Sequence, residues 1–179
     1  MAEFTARAES AGTQVERALD SGAAAARIAA LAAEVETERV LTAAELLAAA
    51  PMLAAALAAS GIEIAVPAGP DEARDAPLGA SLGRMAIAET GSVLLAEPTL
   101  GDRSIGLLCL TQIVVAPTEA LVASLDDAAP ALRDLALLAH GGMATLVTGP
   151  SRTADIERVL TVGVQGPGRV AALFVDRLD

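Results

Sequence analysis

The stretch TQVERALDSGAAAARIAALAAEVETERVLT, residues 13–42, changes the spacing of its apolar residues twice. TQVERAL (13–19) alternates as a short strand does, and AAAARIAALAAEVE (23–36) has the composition and spacing of a helix. ERVLT (38–42) is strand-like again. A strand, a helix and a strand in this order predict a βαβ unit, in which the two strands run parallel.

The same alternation continues on both sides of this unit. FTARAES (4–10) before it is helical by propensity, and the composition of residues 68–79 predicts an exposed loop. The remaining predicted elements are helices at 43–50 and 51–60, a strand at 61–67, strand-like segments at 85–97 and 107–117, two helices within 117–139 that are broken at Pro130, and strands at 144–148 and 170–176. The chain therefore predicts one α/β domain over residues 1–179, an open and mainly parallel sheet with flanking helices.

The composition restricts what such a domain can bind. Apolar residues make up 54% of the chain, yet Trp and Tyr are absent and the aromatic residues are Phe4 and Phe174. The core must therefore consist of Ala, Leu, Val and Ile. Aromatic platforms on which a base could stack are not available.

The charge excludes further classes of partner. The net charge is −11, and every cation is an Arg, scattered along the chain without a basic stripe. Nucleic acid and anionic membrane surfaces are therefore unsuitable partners. The absence of Lys removes Schiff-base chemistry and a P-loop lysine.

Cysteine and histidine each occur once. Cys109 alone cannot form an intrachain disulfide or a four-cysteine iron–sulfur site, and its apolar neighbours indicate a small core residue. His140, before two glycines, is interpreted as a residue at a helix C-terminus rather than a catalytic base. The first ten residues lack the pattern of a signal peptide, and residues 46–62 indicate buried helix and strand rather than a membrane span, so we expect a cytoplasmic protein.

Turn and polar chemistry concentrates in TGPSRTADIERVLTVGVQGPGRV, residues 148–170. A buried strand runs into Gly149-Pro150, and Ser151 and Thr153 are residues that commonly begin helices. A strand, a tight turn and a helix N-terminus would present free backbone N–H groups to an anion. We therefore expect an oxyanion site at residues 151–155.

A second glycine-rich turn follows at residues 162–168. Its glycines, Gly163, Gly166 and Gly168, allow the backbone to approach a ligand or a neighbouring loop closely. We expect both turns to lie side by side at the carboxyl edge of the sheet, with IAETGS (87–92) facing the same cleft, because ligand crevices of doubly wound folds form there. Ordinary turn and cap chemistry is the alternative explanation.

These segments resemble a known family. GPSRTADIE (149–157), VGVQGP (162–167), IAETGS (87–92) and Arg103 together resemble the signature set of the lactate-utilisation (LUD) domain. Most members of that family carry a His where this chain has Gln165, which replaces a titratable group by a neutral amide. The resemblance and the turn chemistry select these candidate ligand-binding residues: Glu89, Thr90, Gly91, Ser92, Arg103, Gly149, Pro150, Ser151, Thr153, Ala154, Asp155, Gly163, Gln165 and Gly166.

The resemblance implies a fold and a role. The fold would be similar to that of ribose-5-phosphate isomerase, glucosamine-phosphate deaminase and the CoA transferases. The role would be that of a cluster-free accessory subunit in a system that oxidises L-lactate to pyruvate, with iron–sulfur clusters in partner subunits and a small carboxylate or phosphate as ligand. No cofactor or metal is expected in this chain, and the sequence leaves the oligomeric state open, including a homo-oligomer.

Two charged residues have open roles. The CoA transferases of related fold place a nucleophilic glutamate before a glycine, so Glu89 is the candidate for catalysis; it could also orient a ligand, brace a loop or lie in solvent. Arg103 could pair with a substrate carboxylate or form a local salt bridge. The competing functions are therefore a stand-alone enzyme of the CoA-transferase or isomerase type that uses Glu89, and an assembly scaffold whose polar loops form an interface.

Overall fold

The computed structural model describes residues 1–137, 143–153, 161–163 and 166–178. Helix α1 (Ala2–Ser10) leads into the predicted unit, which consists of β1 (Thr13–Asp20), α2 (Ser21–Glu34) and β2 (Arg39–Thr42). The Asp20 carboxylate accepts a hydrogen bond from the N–H of Ala23 at 3.0 Å and so begins α2 directly after the strand. The predicted strand, helix and strand are confirmed.

The other elements follow in chain order. They are α3 (Ala44–Ala49), α4 (Pro51–Ala59), β3 (Glu63–Ala65), α5 (Pro70–Ala73), β4 (Leu78–Ile87), β5 (Ser92–Ala96), α6 (Leu100–Leu108), β6 (Thr111–Pro117), a 3-10 turn (Thr118–Ala120), β7 (Leu121–Val122), α7 (Leu125–Ala136), β8 (Ala144–Val147), β9 (Arg152–Thr153), β10 (Thr161–Val162) and β11 (Arg169–Arg177). No helix in the described part of the chain is long and apolar enough to cross a membrane.

The main sheet is parallel in the order β1-β11-β6-β4-β2-β3. Strand β4 is long enough to serve two sets of partners, and its register shifts between Gly83 and Met85. Residues 78–82 of β4 pair parallel with β2 and β6, whereas residues 83–87 pair antiparallel with β5 and, at their end, parallel with β7. Strand β8 adds antiparallel to β5. The predicted α/β class with a mainly parallel sheet is confirmed.

Both faces of the central strands are buried. In β11, Leu173 and Val175 belong to the same buried cluster as residues of α2, α4 and α6, whereas Phe174 belongs to the cluster on the other face. There the Phe174 ring meets the Phe4 ring of α1 edge to face, with 5.0 Å between centroids. The alternation of side chains along a strand thus gives the sheet two cores, one under the helices and one under α1 and the β4–β5–β8 extension.

Two sequence predictions are wrong in their details. Residues 107–110 were expected in a strand, but α6 reaches Leu108 and β6 begins at Thr111. The predicted loop at 68–79 contains α5 and the start of β4, because Leu78 and Gly79 are buried and paired with β6. The first error arises because a short apolar run does not distinguish the end of a helix from the start of a buried strand. The second arises because the composition that indicated a loop also occurs in a one-turn helix such as α5.

The predicted break at Pro130 does not occur. One helix, α7, runs through Pro130, and residues 117–124 form the 3-10 turn and β7 instead of a first helix. A proline in the interior removes one helical hydrogen bond. Ser124 and Asp127 form a capping box at the start of α7, and Ala128 is buried beneath it, which offsets that loss.

Candidate functional site

The two glycine-rich turns lie against each other. The N–H of Ser151 donates to the carbonyl of Pro167 at 2.9 Å, and the N–H of Gly163 donates to the carbonyl of Ser151 at 2.8 Å. Strands β9 and β10 pair antiparallel beside these bonds. Gly163 and Gly166 have φ values of 81° and 139°, a region that L side chains rarely adopt. The backbone of the second turn therefore requires its glycines. The two turns are in contact, as the sequence predicted.

Their position on the sheet differs from the prediction. The N–H of Gly168 donates to the carbonyl of Leu110 at 3.0 Å, so the second turn joins the amino ends of β11 and β6. The first turn meets the turn that precedes β1, since the Arg152 guanidinium donates to the carbonyl of Ala11 at 2.7 Å. Both turns lie at the amino edge of the sheet, so the prediction that they lie at the carboxyl edge is wrong.

The path of β8 explains this placement. Strand β8 is not a member of the parallel set; it pairs with β5, and its end reaches back to the start of β1. There the Thr13 hydroxyl donates to the carbonyl of Thr148 at 2.8 Å. The rule for carboxyl edges applies to loops that follow parallel strands, and Gly149 follows an antiparallel one.

The predicted helix N-terminus at Ser151 is also absent from the described residues. Arg152 and Thr153 form β9, and the N–H groups of Ser151, Gly163 and Gly168 donate to carbonyl groups of these or neighbouring loops. Those three donors are therefore not available to an anion. Ala154, Asp155 and Glu157 of the expected helix lie outside the described residues, as do Gln165 and His140.

A cleft of about 320 Å³ opens between the two turns, β8 and α6. Its polar side chains are neutral: Gln112, Thr145, Thr148 and Ser151. The rest of its described wall is made by Gly106, Leu146, Val147, Gly149, Gly166, Pro167 and Val170. Hydroxyl and amide groups both donate and accept hydrogen bonds, so the cleft suits a small ligand with oxygen atoms.

Under this cleft lies a buried carboxyl group that the sequence analysis missed. The Glu97 residue is 4% exposed, and its Oε2 accepts a short hydrogen bond from the Thr145 hydroxyl. Gly106 packs on it so closely that a Cβ there would lie 2.9 Å from Oε1 and 3.2 Å from Nε2 of Gln112. The signal in the sequence was the position of this acid directly after the apolar strand β5, although an acid is rarely buried unless it has a partner.

Burial determines the chemistry of Glu97. Desolvation raises the pKa of its carboxyl group above the ordinary value, and the nearby Asp102 charge adds to the rise. The hydrogen bond from Thr145 and the charge of Arg103 act in the opposite direction. A carboxyl group in this setting can hold a proton at a higher pH than a solvated one.

Arg103 is directed to the same region by α6. The Thr99 hydroxyl and the Asp102 carboxylate form a capping box that begins this helix. One turn in, the Arg103 Nε donates to the main-chain carbonyl of Glu97 at 3.0 Å. The hydrogen bond that the structure describes for Arg103 is therefore to the backbone carbonyl of Glu97, and it holds in place the residue that carries the buried carboxyl group.

The segment IAETGS divides between two places. Ser92 is buried, and its hydroxyl lies 2.8 Å from that of Thr148, which lines the cleft. Glu89 and Thr90 are exposed at the other end of the turn, where the Glu89 carboxylate accepts a hydrogen bond from the N–H of Leu125 at 3.0 Å. The structure thus brings Ser92 to the glycine-rich turns and Glu89 to the start of α7.

Gly91 has a packing role within this turn. Its φ is 68°, and a Cβ there would lie 2.4 Å from the main-chain nitrogen of Ala8 in α1.

Cys109 is 1% exposed within the core on the helix side, and burial raises the pKa of its thiol to about 12. The thiol is therefore unsuited to nucleophilic chemistry at neutral pH.

Comparison with known proteins supports a family assignment. A family model described as "LUD domain" matches residues 1–175. Lactate utilization protein C of Oceanobacillus iheyensis is 37% identical over 106 residues, which cover 58% of this chain and 46% of that protein. Lactate utilization protein C of Bacillus subtilis is 33% identical over 108 residues, 58% of this chain and 44% of that protein. The matched part spans less than half the length of either relative.

A solved structure shares the fold. The crystal structure of a DUF162 family protein from Deinococcus radiodurans superposes with a TM-score of 0.66 at 17% sequence identity. The superposition covers 97% of this chain and 94% of that one. The topology of the described sheet is therefore found in an experimentally determined protein.

Proposed function

This chain belongs to the LUD-domain family, and from that membership we propose that it works in the cytoplasm in lactate utilisation, as a component without a cluster of its own that binds a small carboxylate. The proposed role in lactate utilisation rests on the relatives named lactate utilization protein C. The proposed binding site is the cleft between the glycine-rich turns.

The observation that carries the proposal is the neutral hydrogen-bonding wall of this cleft. Thr145 donates its hydroxyl to Glu97 and Gln112 donates one amide N–H to the Ser81 hydroxyl, so the donors offered to a ligand are the second amide N–H of Gln112 and the hydroxyl groups of Thr148 and Ser151. A 2-hydroxy or 2-oxo acid presents two carboxylate oxygens and one further oxygen within a few ångströms, which such groups can bind together. Because the described wall holds no charged side chain, we expect binding in the millimolar to micromolar range rather than tighter.

The absence of a cluster follows from the sequence. A protein-bound iron–sulfur cluster needs several Cys or His ligands, whereas this chain has one of each. Electron transfer in a lactate-oxidising system would therefore take place in partner subunits, and this chain would bind the substrate, the product or those subunits.

Ligand binding is tested by thermal unfolding of the purified chain. L-Lactate, pyruvate, phosphate and CoA are added separately at increasing millimolar concentrations; the proposal expects the midpoint to rise with lactate or pyruvate. Ser151→Ala should weaken that effect, and Ser60→Ala, at the exposed end of α4, is the matched control. No shift with any of the four compounds would contradict ligand binding.

An interface with partner subunits is the second candidate, and one observation favours it. Leu107 and Leu110 are 49% and 52% exposed beside Gly163 and Gly166, so an apolar surface adjoins the glycine-rich turns. Co-purification with candidate iron–sulfur partner subunits tests it. Replacing both leucines by Ser should abolish the complex and leave unchanged the rise in the unfolding midpoint that lactate causes.

Glu89 remains the candidate for a stand-alone enzyme of the CoA-transferase or isomerase type. Its hydrogen bond from Leu125 supports the bracing role over the nucleophilic one. Turnover of an acyl-CoA or a sugar phosphate by the isolated chain, lost in Glu89→Gln, would decide for the enzyme.

A further inference from the structure

The cleft between the glycine-rich turns has one polar side chain whose hydrogen-bonding direction is fixed by a buried neighbour. Thr145 of β8 lines the cleft, and its hydroxyl donates its proton to Oε2 of Glu97. A hydroxyl group has one proton to donate and two lone pairs with which to accept. Because the proton is directed to Glu97, the Thr145 oxygen can meet a ligand only as an acceptor.

Glu97 is held in this position along its whole length. Its N–H donates to the carbonyl of Met143 at 3.0 Å, directly before β8 begins. Its carbonyl accepts a hydrogen bond from Nε of Arg103 at 3.0 Å. On the side chain, a Cβ at Gly106 would lie 2.9 Å from Oε1, so α6 packs directly on the carboxyl group. The carboxyl group therefore has little freedom to turn away from Thr145.

A hydrogen-bond donor borders the same place. The point that a Cβ of Gly106 would take is also 3.2 Å from Nε2 of Gln112, which lines the cleft. This amide nitrogen donates one N–H to the Ser81 hydroxyl at 3.2 Å and carries a second N–H. One part of the cleft wall thus offers an N–H donor and, at Thr145, a hydroxyl oxygen that accepts.

A 2-hydroxy acid and a 2-oxo acid differ in how they meet such a pair. Both carry carboxylate oxygens that accept from Gln112. The 2-hydroxy acid also has an O–H to donate to Thr145, whereas the 2-oxo acid would place a carbonyl oxygen against the Thr145 oxygen with no proton between them. We propose that Glu97, acting through Thr145, makes this cleft select a 2-hydroxy acid over the corresponding 2-oxo acid.

Glu97 is in this account a positioning residue, because it touches Thr145 and not the ligand. The inference rests on the proposed function of the cleft and states which of the two classes of acid the cleft prefers. A buried acid without such a role would affect both acids equally. The ratio of the two dissociation constants therefore separates selection from simple structural support.

The selection should weaken when Glu97 is protonated. An ionised carboxylate can only accept and so takes the Thr145 proton, whereas a protonated carboxyl group can donate and free Thr145 to donate to a ligand. Burial raises the pKa of Glu97, so this change occurs at a higher pH than for a solvated glutamate. The described titratable and charged groups around Glu97 are Asp102 and Arg103 on α6, Glu45 on α3, Arg84 on β4 and Asp134 on α7.

Titration of the isotopically labelled full chain with L-lactate and with pyruvate, followed through amide NMR signals, tests the selection. Both acids are anions from about pH 5 upward, so they differ there only in the hydroxyl or carbonyl group. In mildly alkaline solution we expect L-lactate to bind about three- to tenfold more tightly than pyruvate, the range that one hydrogen bond supplies. The ratio should decrease as the pH falls through the pKa of Glu97.

Three variants locate the cause. Thr145→Val keeps the shape of the side chain and removes the acceptor, so the two dissociation constants should agree within about twofold. Thr145→Ser keeps the hydroxyl group and, as the matched control, should retain the preference. Glu97→Gln should also reduce the preference and remove its pH dependence, because a neutral amide can donate to Thr145. This variant keeps the test decisive if Thr145→Val fails to fold.

The failure of this inference differs from failure of the proposed function. Equal affinities in the wild-type chain, tighter binding of pyruvate, a preference that survives in Thr145→Val, or a preference that grows as the pH falls would each overturn the selection and leave the carboxylate site in place. No saturable binding of either acid would overturn the proposed function and this inference with it.

Discussion

The packing of Gly149 against the turn before β1 predicts a sharp effect of one methyl group. A Cβ at this position would lie 2.5 Å from the carbonyl oxygen of Ala11, whereas real Cβ atoms essentially never come within 3.0 Å of another heavy atom. The backbone segments must therefore separate by at least half an ångström. Overpacking of this kind costs about 1–3 kcal/mol.

The experiment compares Gly149→Ala with Gly168→Ala by thermal and urea unfolding. Gly168 lies in the neighbouring turn, and the nearest atoms to its Cβ are 3.8 and 3.9 Å away. For a domain of this size, about 1–3 kcal/mol lowers the midpoint by roughly 2–12 °C. Gly168→Ala should be neutral or stabilise by up to about 1 kcal/mol. Equal midpoints for the two variants would refute the close packing of the first turn.

Four other predictions follow from single side chains. Because the pKa of Glu97 is raised in the folded state, its contribution to stability is present below the unfolded pKa and is lost as the pH rises through the folded one. Glu97→Gln should therefore gain stability relative to wild type as the pH rises from the ordinary glutamate value through the raised one, and a difference in urea unfolding that stays constant with pH would contradict this. Cys109, buried and with a thiol pKa of about 12, should resist iodoacetamide at neutral pH until guanidinium unfolds the chain; fast labelling of the native protein would show that the thiol is accessible. Glu89→Ala and Ser124→Ala should each cost about 1 kcal/mol, because both side chains accept N–H groups in the first turn of α7, and loss of turnover without loss of stability would favour a catalytic Glu89. Gln165→His should change ligand affinity by no more than about 1 kcal/mol with little pH dependence, and a bell-shaped pH profile seen only in this variant would indicate proton chemistry at that position.

Most of the fold could be predicted because the periodicity of the chain is strong where elements are long. Helix α2 and strand β11 have clear spacing, and both were expected within about two residues of their bounds. The strand-like segment predicted here begins only at residue 85, whereas β4 begins at Leu78. The first half of β4 was missed because it contains glycines and small residues and is buried on both faces. Its pairing with β2 and β6 depends on residues far away in the sequence, which local patterns do not contain.

The candidate site was predicted in part for a similar reason. Glycines and prolines marked the two turns correctly, since turn chemistry is local. Whether Gly149 lies at the amino or the carboxyl edge depends on the direction of β8 relative to β5, which only the tertiary structure decides. Glu97 and Gln112 escaped notice because their importance lies in burial and in the approach of Gly106.

The central claim is that the two glycine-rich turns and β8 form the site of a small carboxylate. The most direct measurement is a titration of the isotopically labelled chain with L-lactate or pyruvate, followed through its backbone amide NMR signals. We predict saturable shifts at Gly106, Gln112, residues 145–149, Ser151 and Gly166, and none at Glu89 or Thr90 beyond those of a non-binding salt control. Saturable shifts confined to the start of α7, or none at all with either acid, would contradict the account.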